Sequence, residues 1–233
     1  RFKLFQSSTN LNIGNSQMIP IDIYSDPICP WCFIGKTWFD RALEAAPELN
    51  FVVKWKPFQL NPNMPVEGME RSHYLEKKFG GSAKAQEAYA PIIKTSIEFR
   101  MDINFDKIKI TPNTMYAQRL IYWAEIEGVQ NRIVSALFKA YFKEGQDIGD
   151  PKVLSEIAGR SGMRKELVAR LLLSTEDVEK VKGLDFSARN LGVKGVPLFL
   201  IDKTYAVSGA RKPEFWKKVF QEISENQTNA NND

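Results

Sequence analysis

Strand-like segments sit near both ends of this 233-residue chain, and the long middle reads as helix. That division constrains the fold more than any other feature. Ile19, Ile21 and Ile23 alternate with Pro20, Asp22 and Tyr24, the period-two pattern of a half-buried strand. Phe51 to Trp55 is a second strand, ended by Pro57. Between them, Phe33 to Ala46 carries Phe33, Ile34, Trp38, Ala42 and Ala45 at helical spacing. Strand signals return at Leu198 to Ile201, with Asp202-Lys203 as a hairpin turn into Tyr205 to Val207. Pro213 then opens a terminal helix with Phe215, Trp216, Val219 and Phe220 inward.

The middle stretch, 67–183, is punctuated by helix signals. Ser82 is a cap, and Pro91 should kink or restart its helix. Thr111-Pro112 has the N-cap and N1 arrangement for a helix through Glu127, stopped at Gly128. A further helix spans Val129 to Glu144, with Ile133, Leu137, Phe138, Tyr141 and Phe142 on one face and Gly145 at its end. Asp150-Pro151 repeats the cap signature. Helical stretches follow over Arg164 to Leu173 and Thr175 to Asn190, the last bending or breaking near Gly183. A structureless loop of roughly 115 residues is improbable in a compact domain, so a helical insertion into an α/β unit is the economical reading. The expected division is an N-terminal extension 1–17, an α/β domain from 18–66 and 184–225, an inserted helical domain 67–183 and a disordered tail 226–233.

Composition narrows the function classes. Basic and acidic residues number 32 and 28, a net charge of +4, and they are interspersed, which argues against a nucleic-acid partner. No apolar run approaches the ~18–20 residues that span a bilayer, so no membrane partner is expected. Arg1 to Gln17 is polar and lacks the apolar core of a secretory signal, and Met18 could be a natural start. A cytoplasmic location is the resulting expectation. Asn226-Gln227-Thr228 is a glycosylation triplet that matters only in a secretory setting.

Cys29 and Cys32 are the only cysteines, and His73 is the only histidine. Two Cys and one His cannot make the four Cys/His ligands of a structural zinc site. Cys–His hydrolysis is also weak, because His73 reads as a surface or partly buried helical residue. The Cys29-Pro30-Trp31-Cys32 spacing at a strand-to-helix junction suits redox chemistry better. Residues three apart on a first helical turn lie within disulfide reach. Cys29, just before the helix, meets free N–H groups that favour a thiolate, the nucleophilic form. Cys32, one turn inside, is placed to resolve a mixed disulfide. Pro30 suits the first turn, where its missing N–H has no partner to lose. The pair should stay exposed to an outside thiol. Pro197, at a strand start after Gly195-Val196, can take a cis peptide bond, and an ordinary trans edge-strand proline fits the same sequence.

Taken together, several motifs resemble the DsbA-like branch of the thioredoxin superfamily, nearest to its FrnE-like members and the related 2-hydroxychromene-2-carboxylate isomerases. They are Ser25-Asp26-Pro27-Ile28-Cys29-Pro30-Trp31-Cys32, Phe58-Gln59-Leu60-Asn61-Pro62, Thr111-Pro112-Asn113-Thr114, Ala140 to Gly145, Gly195-Val196-Pro197 and Val207-Ser208-Gly209-Ala210. The resemblance implies a thioredoxin fold, with a central mixed sheet of about four to five strands and a large all-helical insertion. It implies Cys29 as attacking thiol, Cys32 as resolving thiol and Pro197 as a cis-proline. A cis bond there would leave Val196 backbone groups beside Cys29 for an extended substrate, and Asn113 matches a position near the active site. Gln118 stands where many relatives have His, and Arg211 where many have Gln. The expected activity is protein disulfide oxidoreduction on thiol or disulfide substrates, protein or small molecule. No cofactor is needed, and glutathione is a candidate redox partner. Two rival readings are a glutathione-dependent isomerase or transferase on a small aromatic substrate, and a non-catalytic binding module. The relatives that isomerise typically carry Ser at the position of Cys29, so the intact pair favours redox chemistry.

Overall fold

The sheet is built outward from β1 (Ile19–Ser25), whose Ile21 and Ile23 are fully buried. The computed structural model describes residues 18–230, the last five by backbone alone, so the expected extension 1–17 lies outside the described residues. β1 runs parallel to β2 (Phe51–Pro57), with Ile23 opposite Trp55. On its other side it runs antiparallel to β5 (Leu198–Ile201), with Ile23 opposite Phe199. β6 (Tyr205–Ser208) extends the sheet as a hairpin, giving the order β2-β1-β5-β6. Its turn is closed by the Thr204 N–H on the Ile201 oxygen at 3.0 Å, with Asp202 and Lys203 both at positive φ. That mirror-image turn matches the twist of the strands it joins.

A parallel pair needs a crossover, and α1 (Pro30–Glu44) supplies it. The terminal α9 (Pro213–Ala230) lies beside α1. Phe39 of α1 joins the two helices to the sheet, its ring 5.2 Å from Phe199, 4.8 Å from Trp216 and 6.1 Å from Phe220 between centroids. α9 continues through 226–230, a stretch expected to be disordered. No Gly or Pro interrupts that stretch, so nothing in it stops the helix.

The inserted block holds α2 (Arg71–Phe79), α3 (Ser82–Glu98), α4 (Met115–Ile126), α5 (Gln130–Phe138), α6 (Pro151–Arg160), α7 (Lys165–Leu172) and α8 (Val178–Asn190). It is not all-helical as expected. β3 (Met69–Glu70) and β4 (Ile110–Thr111) form a two-residue antiparallel ladder. This displaces the predicted start of α4. Thr111 pairs with Met69, and the helix begins at Met115, whose N–H donates to Asn113 Oδ1 at 2.9 Å. α3 passes through the exposed Pro91 without a break, held by buried Ala85, Ile92 and Ser96 on its other face. α8 likewise runs through exposed Gly183, because Val181, Asp185 and Ala188 bury one face on either side of it. The expected domain boundary at 183/184 therefore falls inside a continuous helix. α5 passes into one π-helical turn, Lys139–Lys143, that ends before Gly145 at φ +69°. A Cβ at Gly145 would stand 2.5 Å from the Lys107 carbonyl oxygen, so only glycine fits. The Asp150 cap forms as predicted, with its Oδ1 accepting the Lys152 N–H at 2.8 Å.

The block shares one core with the sheet. Phe33 of α1 stacks on Phe142 and meets Phe138, each at 5.5 Å. Gln130 also covers the outer edge of β2, accepting the Trp55 N–H at 2.8 Å and donating to its carbonyl at 2.9 Å. An edge strand left bare there would offer unpaired backbone groups to another chain. Arg119 of α4, wholly buried, donates to the carbonyls of Leu171, Leu172 and Glu176 at 2.7, 3.3 and 2.8 Å. It thereby ties α4 to the carboxyl end of α7, where the Leu171 carbonyl also accepts from Ser174. Among the described residues no helix is long and apolar enough to cross a membrane.

Phe39 is fully buried between α1, β5 and α9. Phe39→Ala should cost about 3–5 kcal/mol, the usual range for an aromatic lost from a packed core. Urea unfolding measures it, and a cost under about 1 kcal/mol would show that the site collapses around the cavity.

Candidate active site

β1 ends at Ser25, and the chain turns once before α1 begins. Asp26 makes that turn. Its carbonyl accepts the Cys29 N–H at 2.9 Å, and its carboxylate accepts the Ile28 N–H at 3.2 Å and the Leu60 N–H at 2.7 Å. Cys29 is the N-cap of α1, with Pro30 following as the first helical residue. Its carbonyl accepts the N–H groups of Cys32 and Phe33 at 3.0 and 3.2 Å. The two thiols therefore sit on one helical turn, and they are not bonded to each other.

Both cysteines are buried, Cys29 at 5% exposure and Cys32 at 1%, where the sequence suggested an exposed pair. The cause lies in the other half of the chain. The Val196 carbonyl oxygen is 3.7 Å from Cys29 Sγ and accepts its thiol proton, and the Val196–Pro197 peptide bond is cis. α1 can approach this loop because of Gly35. A Cβ there would stand 3.0 Å from Pro197 Cγ and 3.5 Å from Ala210 Cα. Trp31 is half-buried and packs towards Ile34 and Trp38.

The Cys32 thiol is pushed well above its ordinary pKa, first by burial and then by Cys29. Two groups act the other way, the Ser25 hydroxyl and the Asp26 backbone N–H. Asp26 is wholly buried, and its carboxyl is raised to about 7, mainly by that burial, against the pull of the Leu60 and Ile28 N–H groups and the Thr114 hydroxyl.

Asn113 is held on several sides by the fold. Its Nδ2 donates to the Met64 carbonyl at 2.6 Å, and its Oδ1 accepts from Met115 N–H and, at 3.4 Å, from Gln59 Nε2. Both ends of its amide are thus engaged within the fold. His73 is exposed at the start of α2.

Several residues around the thiols were given no role from sequence. Asp26 was named only as part of the Ser25–Cys32 motif, although an acid between an apolar strand and a Cys-x-x-Cys helix is itself a signal. Gln118 of α4, 1% exposed, donates through Nε2 to the carbonyls of Ser25 and Phe58 at 2.9 and 3.2 Å. Asp185 and Arg189 of α8 clamp the Gln59 backbone. Asp185 Oδ1 accepts its N–H at 2.6 Å, and Arg189 donates to its carbonyl at 2.6 Å while lying 4.2 Å over the Phe58 ring. No local pattern in the sequence links residues so far apart.

The sheet order, the crossover helix that carries the thiols and the helical insertion define a thioredoxin-type fold. Residues 20–221 match the DSBA-like thioredoxin domain, and the chain belongs to that family of thiol oxidoreductases. It is similar to the uncharacterized protein YwbO of Bacillus subtilis, 26% identical over 206 residues, which cover 88% of this chain and 97% of that one. A crystal structure of a probable DsbA oxidoreductase from Streptomyces coelicolor superimposes with a TM-score of 0.79 at 26% identity, covering 88% of this chain and 89% of that one. The cytosolic disulfide reductase DsbM of Pseudomonas aeruginosa, solved with GSH, shares the fold at 15% identity and a TM-score of 0.63, over 88% and 98% of the chains.

Asp26 makes stability depend on pH. The folded protein holds this proton more tightly than the unfolded chain, whose carboxyl has the ordinary value of 3.8. The stabilisation is complete below that value and is lost as pH rises through about 7. Asp26→Asn should flatten the fall in thermal midpoint between pH 4 and pH 8. An unchanged slope in the variant would assign the proton to another group.

Proposed function

We propose that this protein is a thiol–disulfide oxidoreductase that works through Cys29 and Cys32. The observation that carries the reading is the placement of two unbonded thiols on the first turn of α1, with Cys29 Sγ against the Val196 carbonyl. In the reducing direction, Cys29 gives up its proton and its sulfur attacks a substrate disulfide. One S–S bond forms to Cys29, the substrate S–S bond breaks, and the first substrate thiolate leaves and takes up a proton. Cys32 then attacks Cys29 Sγ, the mixed disulfide breaks, and the second substrate thiol leaves. Two electrons have passed to the substrate, and the protein holds a Cys29–Cys32 disulfide. The reverse sequence oxidises a dithiol, and the potential of the partner pool sets the direction.

The exchange requires no metal or organic cofactor. Cys29 is the attacking residue because it keeps the greater exposure and caps the helix, whereas the Cys32 thiol is held back by burial. Val196 and Pro197 flank the point of attack. Substrates are protein or small-molecule thiols and disulfides. Glutathione is the redox partner we favour, since the Pseudomonas reductase of the same fold was solved with GSH, and the setting we favour is cytoplasmic, as for that reductase.

Cys32→Ser should accumulate a stable mixed disulfide with oxidised glutathione or an aromatic disulfide, visible by intact-protein mass. Cys29→Ser should trap none and should reduce insulin at the uncatalysed rate. Full activity in Cys29→Ser would end the proposal. Turnover of an aromatic substrate that survives loss of both cysteines would point instead to glutathione-dependent isomerisation.

A further inference from the structure

Four cations on the segments that frame Cys29, namely Arg71, Lys78, Lys194 and Arg211, form no ion pair among the described residues. Arg71 opens α2 with 8% of its surface exposed, and its guanidinium meets the rings of Tyr89 and Phe105, each at 5.3 Å. A buried charge is ordinarily paired, so this one has charge to offer an anion. Tyr74 and Lys78 lie on the same face of α2, three and seven residues further on. The Lys78 ammonium donates to the Tyr74 hydroxyl at 2.6 Å, and the Asn61 amide donates to the same hydroxyl at 3.0 Å. Asn61 follows Leu60, whose N–H is held by the Asp26 carboxyl, and the Asp26 carbonyl receives the Cys29 N–H. This face of α2 is thereby tied to the turn that carries Cys29.

The other side of the frame is the loop that covers the thiol. Lys194 is two residues from Val196, whose carbonyl accepts the Cys29 thiol proton at 3.7 Å. Arg211 is two residues from Gly209, whose N–H donates to the Pro197 carbonyl at 2.8 Å. Both side chains are exposed, and Arg211 lies 5.5 Å over the Phe215 ring. The charges around them are already neutralised in pairs, Arg189 with Asp185 at 2.7 Å and Lys212 with Glu98 at 3.4 Å. Glu214 lines a separate groove with Arg41 and Lys217, and Glu70 is spent on the Ser72 and His73 N–H groups at the start of α2.

We propose that this basic frame selects small disulfides that carry carboxylates, received by Lys194 and Arg211 on the Pro197 side and by Arg71 and Lys78 on the α2 side. This deepens the disulfide-exchange reading and rests on it. The selection acts before any bond changes. Cations around a reactive sulfur draw an anionic disulfide toward it and repel a cationic one, and they lose their hold as salt screens them. Guanidinium and ammonium groups suit carboxylates because each offers several donors and no acceptor.

The experiment follows mixed-disulfide formation on Cys29 in the Cys32→Ser protein, read by intact mass in quenched samples. Three aliphatic disulfides differ in charge. That of mercaptopropionate is a dianion, that of mercaptoethanol is neutral, and cystamine is a dication. Each rate is divided by the rate of the same disulfide with dithiothreitol, an uncharged thiol, which removes intrinsic reactivity. The dianion should then outrun the dication about tenfold at low salt, with the neutral compound between them, and added salt should narrow the gap. Replacing the three exposed cations together, by Lys78→Gln, Lys194→Gln and Arg211→Gln, should lower that ratio about fivefold and flatten its salt dependence. If the triple variant does not fold, Lys194→Gln with Arg211→Gln is measured against the same outcomes. Equal corrected rates for dianion and dication overturn the proposal, and so does a ratio that survives the substitutions. If none of the three disulfides adds to Cys29, the disulfide-exchange reading itself fails, whereas addition without charge preference sinks the selection alone.

Discussion

The thiol pair depends on the end of β1 being held in place, and a buried carboxyl group does most of the holding. Asp26 accepts N–H groups from the turn that leads into α1 and from the loop that follows β2. Those two segments are the ends of neighbouring parallel strands, where the chain leaves the sheet and loses its ladder partners. Orphaned backbone donors there would be costly without water to satisfy them. A carboxylate is suited to the task because it offers two oxygens and no donor. The same burial makes the charge expensive, and the raised pKa is the visible result.

The inserted helices form part of this arrangement and are not an appendage to it. α4 reaches the strand ends through Gln118, α5 covers the β2 edge through Gln130, and α8 grips the loop after β2 through Asp185 and Arg189. Each contact is polar and made to backbone, and all but that of the exposed Arg189 are buried. The apolar core is likewise continuous from the sheet through Phe33 to Phe138 and Phe142. An independent helical domain would have its own core and a mostly solvated boundary.

Much of the sheet was legible in the sequence, because alternation along Ile19–Tyr24 and the apolar run Leu198–Ile201 follow directly from burial on a pleated surface. The Cys29–Cys32 pair was legible for the same local reason, as a short motif between a strand and a helix. Signals that depend on long-range partners read less well. Thr111-Pro112 has the local form of a helix start, but Thr111 is claimed by Met69 in a ladder that no local pattern reveals. Pro91 and Gly183 look like breaks, and the buried faces of α3 and α8 override both. Asn113 was placed near the site by its motif, yet its amide is spent on internal tethers. The burial of Cys29 was not legible, because the covering group comes from Val196, far along the chain.

Gly35 shows how little material sets the distance between the two halves of the chain. The helix bearing the thiols and the loop bearing Pro197 meet where one residue has no side chain, and a single added methyl would already press on the proline ring. The separation of α1 from the Pro197 loop is thus governed by an omission. A bulkier side chain at that position would act as a shim, prying the helix from the loop and loosening the contact between the Cys29 thiol and the Val196 carbonyl.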